Sequence, residues 1–323
     1  MKAEKEKDKM KYFMKKTGTL IITLLIVSFL SFTAFSVIPG DAALSRLGTE
    51  ATKEQVEALR HEMGLDEPML VRYGSWLKDF VQGDMGESYS YSMPVSEMIL
   101  DKIPINMTMV CMGFFLILAI SIPLGIFTAR HEGGAIDRTL MIFNQVVMSV
   151  PGFFIGILIT FLFGLTLNWF TPGAYISPSE DTGSFFLYMI APSIAIALPK
   201  SAMAVKMLRS SVVTQLGMDY VRTAYSRGNT TGRVLYRHVL KNALIPVLTF
   251  WAMTIADIMA NSIILEQVFT IPGIGSLLIT SISNRDYPVV QGIIVLVAAM
   301  VVIINFIVDI LYSKIDPRIR LDA

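Results

Sequence analysis

Ionisable side chains inside long apolar stretches are the first residues in this sequence whose chemistry suggests a function. Asp257, Glu266 and Asp309 lie within such stretches or at their ends. A charge in a bilayer is costly and normally faces a bundle interior or water, so Asp257 indicates a solute pathway. Asn261 and Ser262, about one turn further on, fit either a wet wall or a hydrogen-bonded helix interface. The sequence shows no membrane-embedded basic partner for these three carboxylates, and it therefore does not predict a proton relay.

Motifs for catalysis and nucleotide binding are absent. The sequence has no G-x-x-x-x-G-K-[ST] phosphate loop, and its stretch GNTTGRV lacks both the spacing and the lysine of one. It also has no H-E-x-x-H motif and no nucleophile elbow. One cysteine, Cys111, and three histidines leave no basis for a disulfide framework or a Cys/His metal site. We therefore predict no catalytic or metal-binding residue and no cofactor bound by this chain itself.

The elements that must position Asp257 follow from composition. Of the 323 residues, 53% are hydrophobic and only 16% are charged, which is too apolar for an ordinary soluble domain. The first apolar run resembles a signal peptide, but its length of about 20 residues favours an uncleaved helix. Six apolar runs predict transmembrane helices, at residues 18–38, 107–128, 140–165, 187–207, 244–268 and 289–312.

Local charge predicts how these helices are oriented. Seven lysines precede residue 18, and residues 200–241 carry eight Lys or Arg against one acid, Asp219. Residues 39–106 carry six basic and twelve acidic side chains. Short cytoplasmic loops collect the positive charge, so we expect both chain ends and the segment 200–241 in the cytoplasm. Residues 39–106 are then outside.

The outer segment contains signals for short helices. Thr52 and Gln55 predict a capping box, and Gly64 predicts the end of that helix. A second helix is predicted after Pro68, and a third, short one in the stretch SMPVSEMILDKIP. These signals predict a small helical lobe, which we interpret as a packed cap rather than a ligand site. The second helix repeats apolar residues at helical spacing: Leu70, Tyr73, Trp76, Leu77 and Phe80.

The stretch DYVRTAYSRGNTTGRVLYRHVLKNALIPV lies between the predicted fourth and fifth spans. It predicts a helix over 219–227, a break over 228–232 and a second helix over 233–244. A basic stripe on the second helix fits two interpretations, binding of lipid phosphates or insertion into a groove of a soluble partner that moves it as a lever. The stripe is Arg233, Arg237 and Lys241, beside an apolar stripe of Leu235, Val239 and Ala243.

The fragments YVRTAYSRG and RHVLKNALIP resemble the cytoplasmic coupling loop of ABC importer permeases, and most closely the oligopeptide/dipeptide type. The generic permease motif has Glu-Ala-Ala before the glycine, whereas this chain has Arg222-Thr223-Ala224 and a later proline, Pro246. Both departures match the peptide subfamily, and Ala224 and Gly228 are the clearest matches. Further resembling fragments, in order, are IPGD (38–41), GLDEP (64–68), GDMGES (83–88), EQVFTIPGIGSLL (266–278), RDYPVVQG (285–292) and DPRIR (316–320).

The resemblance implies an all-α polytopic membrane protein with six transmembrane helices. It has a helical extracytoplasmic lobe between helices 1 and 2 and a cytoplasmic coupling-helix loop between helices 4 and 5. The expected divisions are residues 1–38, the lobe at 39–106, and a permease core at 107–323 with its coupling loop at 207–244. The implied ATPase-coupling residues are Asp219, Arg222, Thr223, Ala224, Gly228, Arg233, Arg237 and Lys241, and the pathway candidates are Asp257, Asn261 and Glu266.

By the same resemblance, the chain is not an enzyme but a permease subunit of an ATP-driven importer in a bacterial or archaeal cytoplasmic membrane. Its expected partners are a second related permease, two ATPase subunits that bind ATP and Mg, an extracytoplasmic solute-binding protein and membrane lipids, with no nucleic acid. Peptide is the expected cargo, and nickel or another metal complex is the alternative. A secondary carrier, which would show interrupted repeats and cotransport charges, and an intramembrane enzyme are the other classes considered.

Overall fold

The computed structural model of the chain describes residues 2–37, 43, 47, 51–62 and 64–315. The fragments IPGD and DPRIR, and the side chain of Asp309, lie outside this described part. Apart from one isolated bridge between Glu87 and Pro94, the described residues form helices, turns and loops. The helices are α1 (Lys2–Val37), α2 (Lys53–Glu62), α3 (Met69–Val81), α4 (Val95–Leu100), α5 (Ile103–Arg130), α6 (Ala135–Ser149), α7 (Gly152–Ile159, continued by π-helix Thr160–Thr166), α8 (Thr182–Leu216), α9 (Asp219–Ser226), α10 (Thr231–Val268), α11 (Ile274–Ser283) and α12 (Tyr287–Ile315).

Five of these helices are long and apolar enough to cross a membrane, and α6 with α7 makes up to a sixth span. The prediction of an all-α polytopic protein is confirmed. The predicted third span, 140–165, is not one straight helix, because its two halves are bent by 98°. Pro151 explains the break, since proline disfavours a helical conformation in the residue before it. Val150 is accordingly extended, with φ −94° and ψ 125°.

The chain divides into two compact units. The first contains residues 1–104 and 272–306, and the second contains residues 105–271 and 307–323. The predicted division at residues 38 and 106 stays a prediction.

In the first unit, the predicted caps of α2 are confirmed. The Thr52 N–H donates to Gln55 Oε1 at 2.9 Å, and the Gln55 N–H donates to Thr52 Oγ1 at 3.4 Å. Gly64 has φ +63°, a left-handed conformation that suits glycine after a helix end. The N–H of Leu65 then reaches back to the Arg60 carbonyl at 3.0 Å.

Aromatic side chains join α3 to α1. The ring of Tyr73 lies 5.2 Å from that of Phe29, and the ring of Trp76 lies 5.8 Å from that of Phe32. Such ring contacts add to the free energy of burying apolar surface. Leu70, expected on the same face, is exposed instead, so the packed face is narrower than the apolar pattern suggested.

Two fragments of the predicted family pattern meet in the first unit. Asp286, which is fully buried, accepts hydrogen bonds from the Ser88 hydroxyl and from the N–H groups of Tyr89 and Ser90. A carboxylate with several donors is stable when buried. These hydrogen bonds connect the fragments GDMGES and RDYPVVQG, and they hold the loop after α3 at the start of α12.

The second unit is built around α8, which packs against α6, α7 and α10. Glycines allow some helices of the second unit to approach one another closely, as is common where helices associate in membranes. A Cβ at Gly125 would lie 2.9 Å from Leu208 on α8, and one at Gly156 would lie 2.7 Å from Leu265 on α10. These helices position the polar groups described next.

Candidate functional site

Helix α9 is amphipathic, with its apolar side buried and its charged side free. Val221 and Ala224 are buried in the second unit. The side chains of Asp219 and Arg222 are 97% and 80% exposed, and Thr223 is exposed as well. Ala224, expected in the coupling loop, therefore anchors α9 to its own chain, while the charged residues are available to a partner.

The turn after α9 requires a glycine because of its backbone. Gly228 has φ +79°, and its N–H donates to the Tyr225 carbonyl at 2.9 Å. The amide of Asn229 donates to the Ala224 carbonyl, also at 2.9 Å. Among the described residues other than its two chain neighbours, no atom lies within 4 Å of the position that a Cβ at Gly228 would take. Strain in the left-handed region, not lack of space, is what a side chain would meet here.

The segment 219–244, which we call the elbow, differs from the prediction in its second half. A break extending to Gly232 and a separate short helix over 233–244 were expected, but α10 begins at Thr231 and continues to Val268. Thr230 is extended and takes the N-cap position, so Gly232 lies inside the helix. The elbow thus consists of α9, a turn over 227–230 and the first turns of a long apolar helix.

The structure agrees with both predicted stripes on this helix: the apolar one is buried and the basic one is exposed. Leu235, Val239 and Ala243 are buried. Residues 234–239 form a π-helical segment at this point, with the buried side chains packed into the second unit. The basic residues of the other stripe are all exposed: Arg233, Arg237 and Lys241.

A cavity of about 240 Å³ lies where the break between α6 and α7 meets α8 and α10. Its polar lining comes from Lys200, Asp257 and Asn261, and much of the remaining wall is apolar. Asn261 donates its amide to the backbone carbonyl of Asp257 at 2.8 Å. Two of the three pathway candidates therefore line one cavity.

Asp257 has a basic partner that sequence analysis did not find. Lys200 Nζ lies 2.6 Å from Asp257 Oδ2. Lys200 was counted with the positive charge of residues 200–241, although it also falls within the predicted span 187–207. The structure places it in the middle of α8, about 27 Å from the first residue of that helix. The signal was present, because the apolar run continues beyond Lys200 through AMAV and includes a buried Leu208.

The third pathway candidate, Glu266, does not line this cavity. Its carboxylate is fully buried and accepts a hydrogen bond from Asn106 Nδ2 at 2.7 Å. The same amide donates to Ser262 Oγ at 3.1 Å. Two interpretations were left open for Asn261 and Ser262. The structure places Asn261 in a cavity wall and Ser262 at a helix interface.

Sequence reasoning also missed a second ion pair on α8. Arg209 Nε and Nη2 each lie 2.6 Å from a carboxylate oxygen of Asp137 on α6. The Gly133 N–H donates to the same carboxylate at 3.0 Å. Arg209 had been counted only as positive charge in the loop, since nothing in linear spacing connects it to Asp137.

Comparison with known proteins identifies the family. Residues 121–321 match the family described as binding-protein-dependent transport system inner membrane component, and residues 9–110 match the N-terminal family of such components. The chain belongs to this family. It is a multi-pass membrane permease subunit of the ABC importer class, which works with ATPase and binding-protein partners. The predictions of a permease rather than an enzyme, and of a membrane location, are confirmed by this membership.

Curated relatives match this permease over nearly their whole length. A probable peptide ABC transporter permease of Sinorhizobium fredii is 32% identical, covering 96% of this chain and 99% of the relative. A putative peptide transport system permease of Brucella abortus is 35% identical, covering 96% and 98%. The oligopeptide permease AppB of Bacillus subtilis is 33% identical, covering 96% and 99%.

A solved structure of the methionine ABC transporter MetNI, in inward-facing conformations, has the same fold. The TM-score is 0.53 at 14% identity, and the match covers 68% of this chain and 96% of the other. At this identity the likeness concerns the fold alone.

Proposed function

We propose that this permease forms half of the translocation pathway of a peptide importer. In the proposed complex it pairs with a second related permease, and two ATPase subunits bind ATP and Mg. An extracytoplasmic solute-binding protein delivers the peptide. Support for peptide as cargo comes from the three relatives above, which match over nearly their whole length and carry peptide transport in their names. Uptake of a nickel complex without peptide uptake would support the alternative cargo.

The observation that carries the coupling role is the construction of the elbow. Helix α9 is held by buried Val221 and Ala224 on one side and presents exposed charges on the other. An exposed amphipathic helix of this kind fits a groove of a soluble partner. Because α10 is continuous from Thr231 to Val268, we propose that a displacement of the elbow reaches Asp257 and its cavity along this one helix.

The elbow acts only if it binds two arrangements of the ATPase pair with different affinity. A contact that is equally strong in both arrangements shifts no equilibrium. The exposed side chains of α9 and the basic stripe are the groups in this region that a moving ATPase surface would bind or release: Asp219, Arg222, Thr223, Arg233, Arg237 and Lys241. Lipid phosphates would compete for the basic stripe.

The proposal includes an orientation. Both chain ends and the elbow face the cytoplasm of a bacterium or archaeon, and residues 39–106 face outward, as the distribution of Lys and Arg indicates. The outer segment then lies where a solute-binding protein docks, and its acidic excess favours a partner with a basic rim. Reversing the charge of Glu54, Glu57 and Glu62 should weaken docking at low salt, and unchanged docking would contradict this role.

The test of the elbow uses the complete complex in proteoliposomes. Gly228→Val should reduce peptide uptake and the ATPase activity stimulated by loaded binding protein together, while the ATPase subunits still copurify. Gly228→Asn is the matched control, since asparagine tolerates a positive φ far better than a β-branched residue. Normal uptake by Gly228→Val would contradict the lever.

A further inference from the structure

We propose that the Lys200–Asp257 ion pair is a contact site for the main chain of the transported peptide. This inference rests on the proposed function, and it assigns to named side chains a role in binding the cargo. The pair would bind polar groups that every peptide has, namely its terminal charges or its amide N–H and carbonyl groups.

The first argument is the position of the pair. Lys200 and Asp257 lie on two helices that are each apolar enough to span a membrane. Ionised groups at such a position normally face a bundle interior or a water-filled cavity and form pairs. Their side chains are 27% and 57% exposed, and both line the cavity of about 240 Å³. The pair is therefore open to a ligand that enters this cavity.

The second argument is the hydrogen-bonding capacity that remains. A lysine ammonium has three donors, and a carboxylate has two acceptor oxygens. The pair uses one Lys200 donor and Asp257 Oδ2. Within the described part of the chain, no other group binds Lys200 Nζ or Asp257 Oδ1. A ligand N–H can therefore bind Oδ1, and a ligand carbonyl or carboxylate can bind Nζ, while the pair stays intact.

The third argument concerns selectivity. The two charges cancel, so the site has no net charge with which to retain a simple cation or anion. Other lining side chains, among them Phe153, Ile196 and Ile264, are apolar and accept different cargo side chains without a specific hydrogen bond. An adjacent donor and acceptor in an apolar wall match the alternating N–H and carbonyl groups of a peptide main chain.

The fourth argument is size. A volume of about 240 Å³ is below the range of roughly 300–1,000 Å³ typical of pockets that enclose a whole small molecule. The cavity therefore holds only part of a peptide at one time. Transport needs such partial and weak contacts, because a site that binds too tightly does not release its cargo.

The experiment measures tripeptide uptake per ATP hydrolysed by the assembled complex in proteoliposomes. The probe is radiolabelled trialanine, and its binding to the solute-binding protein is measured beforehand. The test variant is Lys200→Met with Asp257→Asn, which removes both charges and leaves none unpaired. Lys206→Met is the matched control, because Lys206 lies on the same helix but contacts Gln145 outside the cavity.

We expect the double variant to lower uptake per ATP by about tenfold, comparable to losing one charge-assisted hydrogen bond. Its copurification with the ATPase subunits should match that of the control. The charge-reversed variant, Lys200→Asp with Asp257→Lys, restores an ion pair but exchanges donor and acceptor, and it should not recover uptake. Recovery to the wild-type rate would overturn the inference, because the pair would then serve only to link α8 and α10.

A direct readout separates contact with cargo from an indirect effect. A tripeptide that contains photoreactive leucine, illuminated during turnover, should crosslink to residues 196–200 or 257–265 in wild type and much less in the double variant. Equal uptake per ATP by wild type and double variant would overturn the inference alone. Absence of any peptide uptake by wild type would overturn the proposed function as well, which makes the two failures distinguishable.

Discussion

The two ion pairs on α8 differ in geometry and in access to water. Arg209 and Asp137 form two contacts of 2.6 Å, and their side chains are 21% and 4% exposed. Lys200 and Asp257 form one contact of 2.6 Å, with much more exposed side chains. Nine residues, or about 14 Å along the axis, separate the two basic residues. One helix thus carries a closed pair that fastens α6 to α8 and an open pair that faces a cavity.

This difference shows which charged residues in an apolar protein are structural. A closed, bidentate pair binds both carboxylate oxygens of Asp137 and is largely shielded from water, so its role is packing. An open, single-contact pair leaves donors and acceptors unused, and this unused capacity is the basis of the proposed contact with cargo. The comparison predicts that substitutions at and around α8 reduce the stability of the chain by amounts that fall from the closed pair to the open one.

The largest effect is expected at the closed pair. Asp137→Asn leaves the Arg209 guanidinium without its carboxylate in a largely buried position, which should reduce the free energy of unfolding by about 3–5 kcal/mol. Denaturation of the solubilised chain measures this loss, with Lys206→Met as control. A loss below that of the control would show that the pair is not what fastens α6 to α8.

The next effect concerns helix packing beside each pair. Gly125→Ala places a Cβ 2.9 Å from side-chain atoms of Leu208, next to Arg209, and should cost about 1–3 kcal/mol of unfolding free energy. Gly152→Ala, beside the cavity, meets its nearest atom, the Ala195 carbonyl oxygen, at 3.4 Å and should cost less. Equal losses in the same denaturation assay would contradict the distinction between a tight and an open part of α8.

A smaller effect is expected at the open pair. Lys200→Met combined with Asp257→Asn should change the free energy of unfolding by less than about 1 kcal/mol, since partly exposed pairs contribute little. The same variant should still lose uptake. If its unfolding free energy fell as far as that of Asp137→Asn, the pair would be structural, and the comparison between the two pairs would fail.

The smallest effect belongs to a third carboxylate, at the start of α8. The Ser184 hydroxyl, 2.6 Å away, and the N–H groups of Ser184 and Gly183 hold the pKa of Asp181 below its usual value. A lowered pKa means that this cap stabilises the helix above the unfolded pKa, about 3.9, and that the benefit disappears as pH falls through the folded pKa. Asp181→Asn keeps an acceptor but does not titrate.

Hydrogen exchange measures this cap. Protection of the amides of residues 183–185 in wild type, relative to Asp181→Asn, should be greater at pH 6 than at pH 3. The same ratio at both values would show that the ionised carboxylate adds nothing to the cap.

Local signals in the sequence predicted much of the fold. Apolar length predicted the spanning helices, and Thr52, Gln55 and Gly64 predicted the ends of α2, because these features depend on neighbouring residues only. The bend at Pro151 carried a local signal as well, but the apolar run concealed it. Apolar length says how much chain can lie in a membrane and does not say whether the chain is straight.

The candidate site was predicted only in part, for a related reason. The exposed charges and the glycine turn of the elbow follow from residue types. Asp257 was recognised because a charged side chain within an apolar run is costly in a bilayer. Its partner Lys200 was missed because the pairing joins positions 57 residues apart. The different surroundings of Asn261 and Glu266 depend on which side of α10 faces the cavity and which side meets Asn106.

The sequence by itself determined that this chain is helical, spans a membrane, lacks the phosphate-loop motif and carries a basic segment between two apolar ones. These properties depend on composition and on spacing within a few turns. Only the tertiary structure decided that α8 carries one closed and one open ion pair and that Asp286 accepts hydrogen bonds from the loop at Ser88. Such contacts depend on how distant helices pack, because the free energy of a buried charge is set by its neighbours in space.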